Sequence, residues 1–367
     1  MGEGQMILLS SIIQTFEAAF LAQYQEAILP SHRQALAAMK DCRTSASPHM
    51  LAQCAGCDNQ VLVPHSCGHR HCPHCQHHES QQWLERQLQK QVPAEYFLVT
   101  FTLPEELRPS AWQHQRTLYA LMTRCSWEIV RTFSQNDPQL HGTPGGITVL
   151  HTHSRRLDYH PHVHVVMPAA AVDEEKKWWR TKGGKKRKNP SGYLFNHQAL
   201  ATVFRAKLLD AIRQAGLELP VSYPETWVVD VKSVGTGEKA LVYLGRYLYK
   251  GVIQEKDIIA CENGQVTFRY QNSKTRQFEY RTVPGARFLW LILQHVLPKG
   301  FRRVRNFGFL HANSKRLIAL LQFLLGSDPN RALAWVKQRP KLTCRCCGAV
   351  MNIVRTRIRP VFPMLTR

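Results

Sequence analysis

The sequence has few acidic residues and no long apolar run. Only 26 Asp and Glu residues stand against 48 Lys and Arg residues, which gives a formal net charge of +22 and a pI near 9.8. An excess of positive charge this large predicts a polyanionic partner, with nucleic acid first and an anionic membrane second. No apolar run is long enough for a transmembrane helix, so membrane binding has little support.

The N-terminal residues also lack a secretory signal, because no basic stretch precedes a compact apolar segment and a cleavage site. Neither an internal repeat nor a long low-complexity tract is found. We therefore expect a cytoplasmic, nucleoid-associated bacterial protein. The 11 cysteines are clustered rather than scattered. In a chain without a secretory signal, clustering favours metal binding over disulfides.

The order of strand and helix patterns predicts an α+β fold. Phe97, Val99 and Phe101 alternate with Leu98 and polar threonines, as in a half-buried strand. Residues 145–153 and 157–168 read as two further strands, plausible antiparallel neighbours. Helices are predicted over 111–134, 197–216 and 237–251. Short strands mixed with helices at irregular intervals favour a central, largely antiparallel sheet flanked by helices.

Cysteines near the N-terminus predict a structural zinc site. The stretch "CAGCDNQVLVPHSCGHRHCPHC" contains two CxxC knuckles. Each knuckle offers two thiolates at a tight turn, and four thiolates complete a tetrahedron around zinc. The predicted ligands are Cys54, Cys57, Cys72 and Cys75. A closed site of four thiolates is structural, so this module is expected to fold and position DNA contacts rather than to catalyse.

Other cysteines leave alternatives open. Cys67 is left over from the predicted site, and it could belong to a second zinc site. The further ligands of that second site would come from Cys42, His49 and either His65 or His71. The knuckle at Cys344 and Cys347 has no visible partner before residue 367, so an incomplete metal site and a plain exposed tail are both possible.

Three histidines in "HPHVHVVMP" stand at every second position. Alternate side chains of a strand share one face, so His160, His162 and His164 point the same way, ~6.6 Å apart. Neutral imidazoles bind divalent ions, and two of them with one further ligand leave positions open for substrate oxygens. The third ligand stays open among four candidates, which are Asp158, His160, His151 and His153.

A helix with the sequence "YLGRYLYKG" carries a pair of phenols. Tyr243 and Tyr247 are one helical turn apart and share a face. Arg246 and Lys250 form a second such pair beside them, which we expect to bind DNA. The stripe is either an aromatic core or a set of nucleophiles. A phenol has a pKa of ~10, so a nucleophilic role needs nearby cations and a metal-polarised phosphate.

A basic loop over residues 173–192 suits DNA binding. Trp178 and Trp179 could stack on unpaired bases, and a run of cations could follow the phosphates. The cations are Lys185, Lys186, Arg187 and Lys188. A solvated run of charges is the alternative interpretation.

Three segments in this order resemble the HUH endonucleases of rolling-circle replication and transposition. "FLVTFTLP" resembles their first strand motif, "HPHVHVVMP" the metal motif and "YLGRYLYK" the tyrosine motif. The N-terminal Cys/His cluster, "FTLPEEL" and "HVLPKGFRRVRNFGFL" resemble more narrowly the transposases of the insertion-sequence-91 type. The resemblance covers roughly residues 30–315.

The resemblance implies a domain order and a reaction. A helical zinc-binding DNA-recognition domain would span residues 1–94, an HUH tyrosine transposase domain residues 95–325, and a basic tail with one CxxC knuckle residues 326–367. His162 and His164 would hold Mg²⁺ or Mn²⁺ with a third ligand. The DNA partner would be single-stranded element ends that bear hairpins. Tyr247 would attack this DNA and leave a 5′-phosphotyrosine, and Tyr243 would serve a second cleavage or transfer.

Two other classes of function compete with this expectation. A non-catalytic, zinc-containing DNA-binding protein would use the histidine row as a second structural zinc site. An iron oxygenase with two histidines and one carboxylate would need an acidic ligand beside the histidines, and the net charge gives no reason for one.

Overall fold

The computed structural model describes residues 6–73, 75, 77–173, 175, 178–182, 194–249, 252–272, 275–330, 333–334 and 341–359. Of His77, His78, Arg246, Tyr247 and Tyr249 only the backbone is described. The helices are α1 Leu9–Tyr24, α2 Pro30–Asp41, α3 His77–Leu88, α4 Arg108–Gln113, α5 Gln115–Asn136, α6 His197–Gln214, α7 Glu238–Tyr249, α8 Gly285–Leu293 and α9 Lys315–Leu324. The strands are β1 His49–Cys54, β2 Gln60–Pro64, β3 Tyr96–Thr102, β4 Thr143–His153, β5 Tyr159–Pro168, β6 Ala170–Asp173, β7 Trp178–Thr181, β8 Val229–Ser233, β9 Ile258–Glu262, β10 Gln265–Gln271, β11 Phe278–Pro284, β12 Val304–Gly308 and β13 Met351–Ile358.

A seven-stranded sheet forms the centre of the molecule. Its strand order is β7-β6-β4-β5-β3-β8, and β12 also pairs with β4. Every one of these pairings is antiparallel. The predicted α+β class with a central antiparallel sheet flanked by helices is therefore confirmed.

Helices cover both faces of this sheet. Phe97, Val99 and Phe101 of β3 are fully buried on one face, in a cluster with side chains of α5 and α6. Val149 and Val166 are buried on the other face, in a cluster with side chains of α3, α7 and α9. Because side chains alternate along β5, His164 and His162 share the face of Val166. The layering thus places α7 over the face that carries the histidine row.

A second body packs α1, α2 and α8 against a three-stranded sheet of β9, β10 and β11. Phe288 of α8 and Phe268 of β10 are buried at its centre, with ring centroids 5.7 Å apart. Within the described residues, no helix is long and apolar enough to cross a membrane.

The C-terminal strand β13 lies within residues 326–367, which were predicted as a basic tail with one CxxC knuckle. β13 pairs with β1, and β1 pairs with β2, in a three-stranded antiparallel sheet. This sheet joins residues near both ends of the described chain. The predicted domain boundaries at residues 94 and 325 otherwise stay a prediction, and we propose that β13 belongs to the N-terminal module.

Acid pH should destabilise the fold through His32 of α2. The side chain is fully buried, and its Nδ1 accepts a hydrogen bond from the backbone N–H of Leu29 at 3.2 Å. Burial lowers the pKa of His32 to about 4. The unfolded chain binds this proton near pH 6.5 and the folded chain does not, so stability is unaffected above pH 6.5 and falls between pH 6.5 and 4.

The test compares urea unfolding of the wild type and of His32→Asn at pH 7 and pH 5. Asparagine keeps an acceptor for Leu29 but cannot titrate. We expect the drop in unfolding free energy between the two pH values to be about 2 kcal/mol smaller in the variant. His311→Asn, at an exposed histidine, serves as the control and should keep the wild-type drop. Equal drops in all three proteins would contradict the prediction.

Candidate functional site

Three imidazoles meet on the sheet face beneath α7. The pairing of β4 with β5 sets His151 opposite His162 and Val149 opposite His164. Ring nitrogens of His151, His162 and His164 all lie within 4.8 Å of one another. Ring centroids are 4.3 Å apart for His151 and His164, and 4.8 Å apart for His162 and His164. We call this group the histidine centre.

The third member of the centre is His151, which corrects the predicted His160. The ring of His160 is 5.3 Å from that of His162, but its Nδ1 accepts a hydrogen bond from Arg108 Nη2 at 2.9 Å. A guanidinium at this distance opposes a nearby metal cation. Of the other candidates, Asp158 pairs with Arg281 at 2.8 Å, and the ring of His153 lies 5.1 Å from that of His295.

The protonation of the centre suits a metal ion. Burial lowers the pKa of His162 to about 4, and it lowers the pKa values of His151 and His164 well below their usual range. All three are therefore neutral at pH 7. His162 Nδ1 donates to the backbone oxygen of His160 at 2.7 Å, which leaves the Nε2 lone pair of His162 for a ligand. His164 Nδ1 lies 2.9 Å from Thr100 Oγ1, which fixes its ring in the same way.

These residues fit a divalent ion. Three neutral imidazoles, two of them oriented by hydrogen bonds, leave coordination positions open for water or substrate oxygens, as a catalytic centre requires. Among the described residues, no carboxylate belongs to the group. The described group therefore differs from the two-histidine-one-carboxylate set of an iron oxygenase.

Metal affinity should depend on Thr100, because this hydroxyl orients His164. We expect Thr100→Val to weaken Mn²⁺ binding by about 10- to 100-fold, as loss of an outer hydrogen-bond partner typically does. Calorimetric titration of the zinc-loaded protein with Mn²⁺ measures the effect. Thr102→Val is the control, because Thr102 lines the same cleft while His162 is oriented by a backbone oxygen. Equal losses in both variants would argue against the role of Thr100.

A cleft of about 780 Å³ opens over the histidine centre. We call it the histidine cleft. Its floor includes Thr100, His162 and His164, and Tyr243 of α7 lines it as well. The loop over residues 153–157 and the sheet of β9–β11 complete the walls.

Tyr243 is the phenol of α7 that lines this cleft, and Tyr270 of β10 lines it as well. The side chain of Tyr243 is 46% exposed, so substrate can reach it. Partial burial raises the pKa of the Tyr243 phenol, and the positive charge of Arg155 opposes that rise. Arg246 and Tyr247 lie on α7, but their side chains fall outside the described structure, and Lys250 is outside the described residues altogether.

The cysteines form two four-thiol clusters. The first holds Cys54, Cys57, Cys344 and Cys347, and the second holds Cys42, Cys67, Cys72 and Cys75. Neighbouring sulfur atoms lie 3.4 to 3.8 Å apart in the first and 3.5 to 3.6 Å apart in the second. A tetrahedron with Zn–S bonds of ~2.3 Å has edges of ~3.8 Å. Both clusters therefore fit structural zinc, and neither has the short distance of a disulfide.

Backbone amides support thiolates in both clusters. The N–H of Gly56 donates to Cys54 Sγ at 3.2 Å, and the N–H of His69 donates to Cys67 Sγ at 3.4 Å. Asn59 Nδ2 donates to Cys344 Sγ at 3.2 Å. Hydrogen bonds to a charged sulfur favour the ionised form that zinc requires.

The predicted single site of Cys54, Cys57, Cys72 and Cys75 is thus divided in the structure. Its two knuckles belong to different clusters because β1 pairs with β13, which brings the C-terminal knuckle beside Cys54 and Cys57. Cys67 lies in the second cluster together with Cys42, two of the ligands named for the possible second zinc site. No histidine is part of either described cluster.

The predicted DNA-binding loop is described only in part. Trp178 is 58% exposed, with the guanidinium of Arg180 5.5 Å from its ring. Trp179 instead packs edge-on against Phe309, with ring centroids 5.4 Å apart. The predicted phosphate contacts lie outside the described residues, and they are Lys185, Lys186, Arg187 and Lys188.

An antiparallel sheet with a buried three-histidine centre, joined to cysteine clusters that fit zinc, defines a metal-binding protein with a zinc module. Comparison with known families agrees with both parts. Residues 145–317 match the family described as "Putative transposase", and residues 12–103 match the "Transposase zinc-binding domain".

Two curated proteins are similar along most of the chain. "Putative transposase y4qJ" of Sinorhizobium fredii (strain NBRC 101917 / NGR234) is 30% identical over 326 residues, which cover 82% of this chain and 79% of that protein. "Transposase for insertion sequence element IS801" of Pseudomonas savastanoi pv. phaseolicola is 27% identical, over 73% of this chain and 65% of that protein. The chain belongs to the transposase family of the insertion-sequence-91 type.

Among solved structures, the relaxase TrwC complexed with a 27-mer DNA comprising the recognition hairpin and the cleavage site is 11% identical to this chain. The match covers 63% of this chain and 74% of that chain, with a TM-score of 0.25. A TM-score this low does not by itself define a shared fold.

Proposed function

We propose that this protein is a metal-dependent DNA strand transferase that cleaves and rejoins single-stranded DNA at the ends of an insertion sequence. The observation that carries the proposal is that one cleft is lined both by His162 and His164 of the histidine centre and by Tyr243 of α7. Membership of the transposase family and the net charge of +22 support DNA as the substrate.

The proposed metal ligands are His151, His162 and His164, and the ion is Mg²⁺ or Mn²⁺. When bound, the ion supplies Lewis-acid polarisation of the scissile phosphate. The chain itself keeps the three imidazoles neutral by burial. Thr100 orients His164, and the backbone oxygen of His160 orients His162. Arg155 and Arg156, which also line the cleft, are placed to bind the phosphates on either side of the scissile bond.

The proposed chemistry is attack of a tyrosine oxygen on phosphorus. A bond forms between the phenolic oxygen and the phosphate, and the bond from phosphorus to the 3′ oxygen breaks. The phenolic proton leaves and the 3′ oxygen gains one, so the products are a 5′-phosphotyrosine and a free 3′-OH. The phosphodiester is conserved, so the strand can be rejoined without ATP. We assign the first attack to Tyr247 and the second cleavage or transfer to Tyr243, in rolling-circle transposition.

The proposal is tested by incubating the protein with Mn²⁺ and labelled single-stranded DNA that carries the ends of the insertion sequence, with their hairpins. We expect a protein–DNA adduct that survives denaturing electrophoresis and requires the metal. Tyr247→Phe should remove the first cleavage product, and Tyr243→Phe should remove the second. Tight DNA binding without any adduct would instead favour the non-catalytic zinc-containing DNA-binding protein.

A further inference from the structure

A second cleft lies on the other side of α7 from the histidine centre. It has a volume of about 870 Å³. Its walls come from α3, the loop at Arg70 and His71 before α3, β12 with the residues that precede it, and the end of α7. Six of its described lining residues are Arg or Lys, and none is Asp or Glu. The six are Arg70, Arg86, Lys90, Arg302, Arg303 and Arg305. We call it the basic cleft.

Two of these cations build the wall of the basic cleft. The guanidinium of Arg70 donates to the backbone oxygens of Phe301 at 2.8 Å, Leu297 at 3.0 Å and Pro298 at 2.9 Å. Arg303 donates to the backbone oxygen of Leu248 at 3.3 Å. Hydrogen bonds to backbone carbonyl oxygens therefore fix both guanidinium groups in partly buried positions in the wall of the cleft.

Other cations of the basic cleft share it without a neighbouring acid among its described lining residues. Arg86 and Arg302 are exposed. Burial lowers the pKa of Lys90, and the positive charges of Lys315 and Arg86 lower it further. Within the described part of the chain, no acidic side chain forms an ion pair with Arg86, Lys90 or Arg302. Like charges that share one cleft without counter-charge repel, and an anion bound among them would relieve that repulsion.

Helix α7 separates the two clefts. Tyr243 lines the histidine cleft and Leu248 lines the basic cleft. Five residues of helix correspond to ~7.5 Å along the axis and a turn to nearly the opposite side. Gly245 between them packs on Trp83 of α3, where an added Cβ would lie 3.3 Å from the indole ring. A polyanion that crosses α7 would therefore pass directly from one cleft to the other.

We propose that the basic cleft binds the phosphodiester backbone of DNA, on the side of α7 opposite the histidine cleft. This inference rests on the proposed function in one respect, because the proposed function identifies DNA as the polyanion. The backbone could belong to the single strand that continues from the cleavage site or to a flanking duplex. Both present the same phosphate chemistry to Arg86, Lys90 and Arg302.

The test measures DNA affinity as a function of salt in the zinc-loaded, full-length protein. The variant is Arg86→Gln/Arg302→Gln, which removes two exposed charges from the basic cleft. The matched control is Arg33→Gln/Arg213→Gln, which removes two exposed charges from α2 and α6, outside both clefts. Fluorescence anisotropy measures binding of two DNA substrates, a labelled oligothymidine single strand and a short labelled duplex. The zinc content and the melting temperature of each variant verify that it is folded.

Each phosphate contact contributes about 0.7 to the slope of log affinity against log salt for single strands and about 0.9 for duplex. The variant should therefore lose about 1.4 from the slope on the single strand or about 1.8 on the duplex, and the control should keep the wild-type slopes. A loss on one substrate identifies that substrate as the source of the backbone. Slopes equal to those of the control on both substrates would overturn the proposal.

This outcome is separate from that of the proposed function. The salt slope needs no cleavage, so it can be measured with Tyr243→Phe/Tyr247→Phe, which should keep the wild-type slope. If no adduct forms but Arg86→Gln/Arg302→Gln still lowers the salt slope, only the strand-transfer reaction is overturned. If an adduct forms but Arg86→Gln/Arg302→Gln leaves the salt slope unchanged, only DNA binding by the basic cleft is overturned.

Discussion

His151→Ala should abolish metal-dependent cleavage of single-stranded DNA, whereas His160→Ala should leave most of it. His151 belongs to the histidine centre, where its ring nitrogen lies within 4.8 Å of those of His162 and His164. Loss of an outer hydrogen-bond partner alone costs about 10- to 100-fold in metal affinity or activity. Loss of a ligand should therefore lower the cleavage rate by roughly a thousandfold or more.

His160 is the matched control, because it lies on the same strand face and lines the same cleft. Its Nδ1 is occupied by Arg108, so its removal should change the rate by less than about tenfold, well below the loss of a metal ligand. Mn²⁺ titration should rank the two variants in the same order. The zinc content of both should equal that of the wild type, which would show that the cysteine clusters are intact. A larger loss in His160→Ala than in His151→Ala would contradict the assignment of the centre.

Two zinc ions per chain are the second expected result. Each four-thiol cluster has the size and the hydrogen-bonding amides that a structural zinc site requires. Cys344→Ser/Cys347→Ser should reduce the content to one zinc and release β13 from β1, because apparent binding free energies of structural zinc reach ~10–16 kcal/mol and contribute directly to folding. Elemental analysis of the purified protein gives the stoichiometry.

Cys346→Ser provides the control from the same knuckle. Cys346 is exposed and belongs to neither cluster, so this variant should retain two zinc ions. Cys42→Ser/Cys67→Ser should also fall to one zinc, through loss of the other cluster. A wild-type content of one zinc that survives the loss of Cys344 and Cys347 would instead support a single site of Cys54, Cys57, Cys72 and Cys75.

Local patterns of the sequence were sufficient for the strands and the helix that build the centre. Alternation of apolar and polar residues predicts β3 and β5, and the antiparallel pairing of β4 with β5 follows from their closeness in the chain. The four-residue spacing of Tyr243 and Tyr247 predicts α7. What alternation cannot supply is the register between strands. His151 became the third member of the centre only because β4 pairs with β5 so that His151 faces His162.

Contacts between segments that are far apart in the chain could not be predicted from local sequence patterns. Cys54 and Cys347 meet across 293 positions, and no local pattern records which CxxC knuckle pairs with which. Helix α5 begins at Gln115, after a break at His114, although the apolar periodicity runs across that break without interruption. β9 and β12 are five residues each and were not predicted, because strands this short carry little alternation.

The most direct measurement of strand transfer is the site of covalent attachment. The protein is incubated with Mn²⁺ and single-stranded DNA, digested with nuclease and then with trypsin, and examined by mass spectrometry. Trypsin cleaves after Lys239, Arg246 and Lys250, so Tyr243 and Tyr247 fall in different peptides. We predict a nucleotide 5′-phosphate on Tyr247 after the first cleavage and on Tyr243 after the second, each only with metal. DNA cleavage by zinc-loaded protein with no nucleotide on either peptide would contradict the tyrosine mechanism.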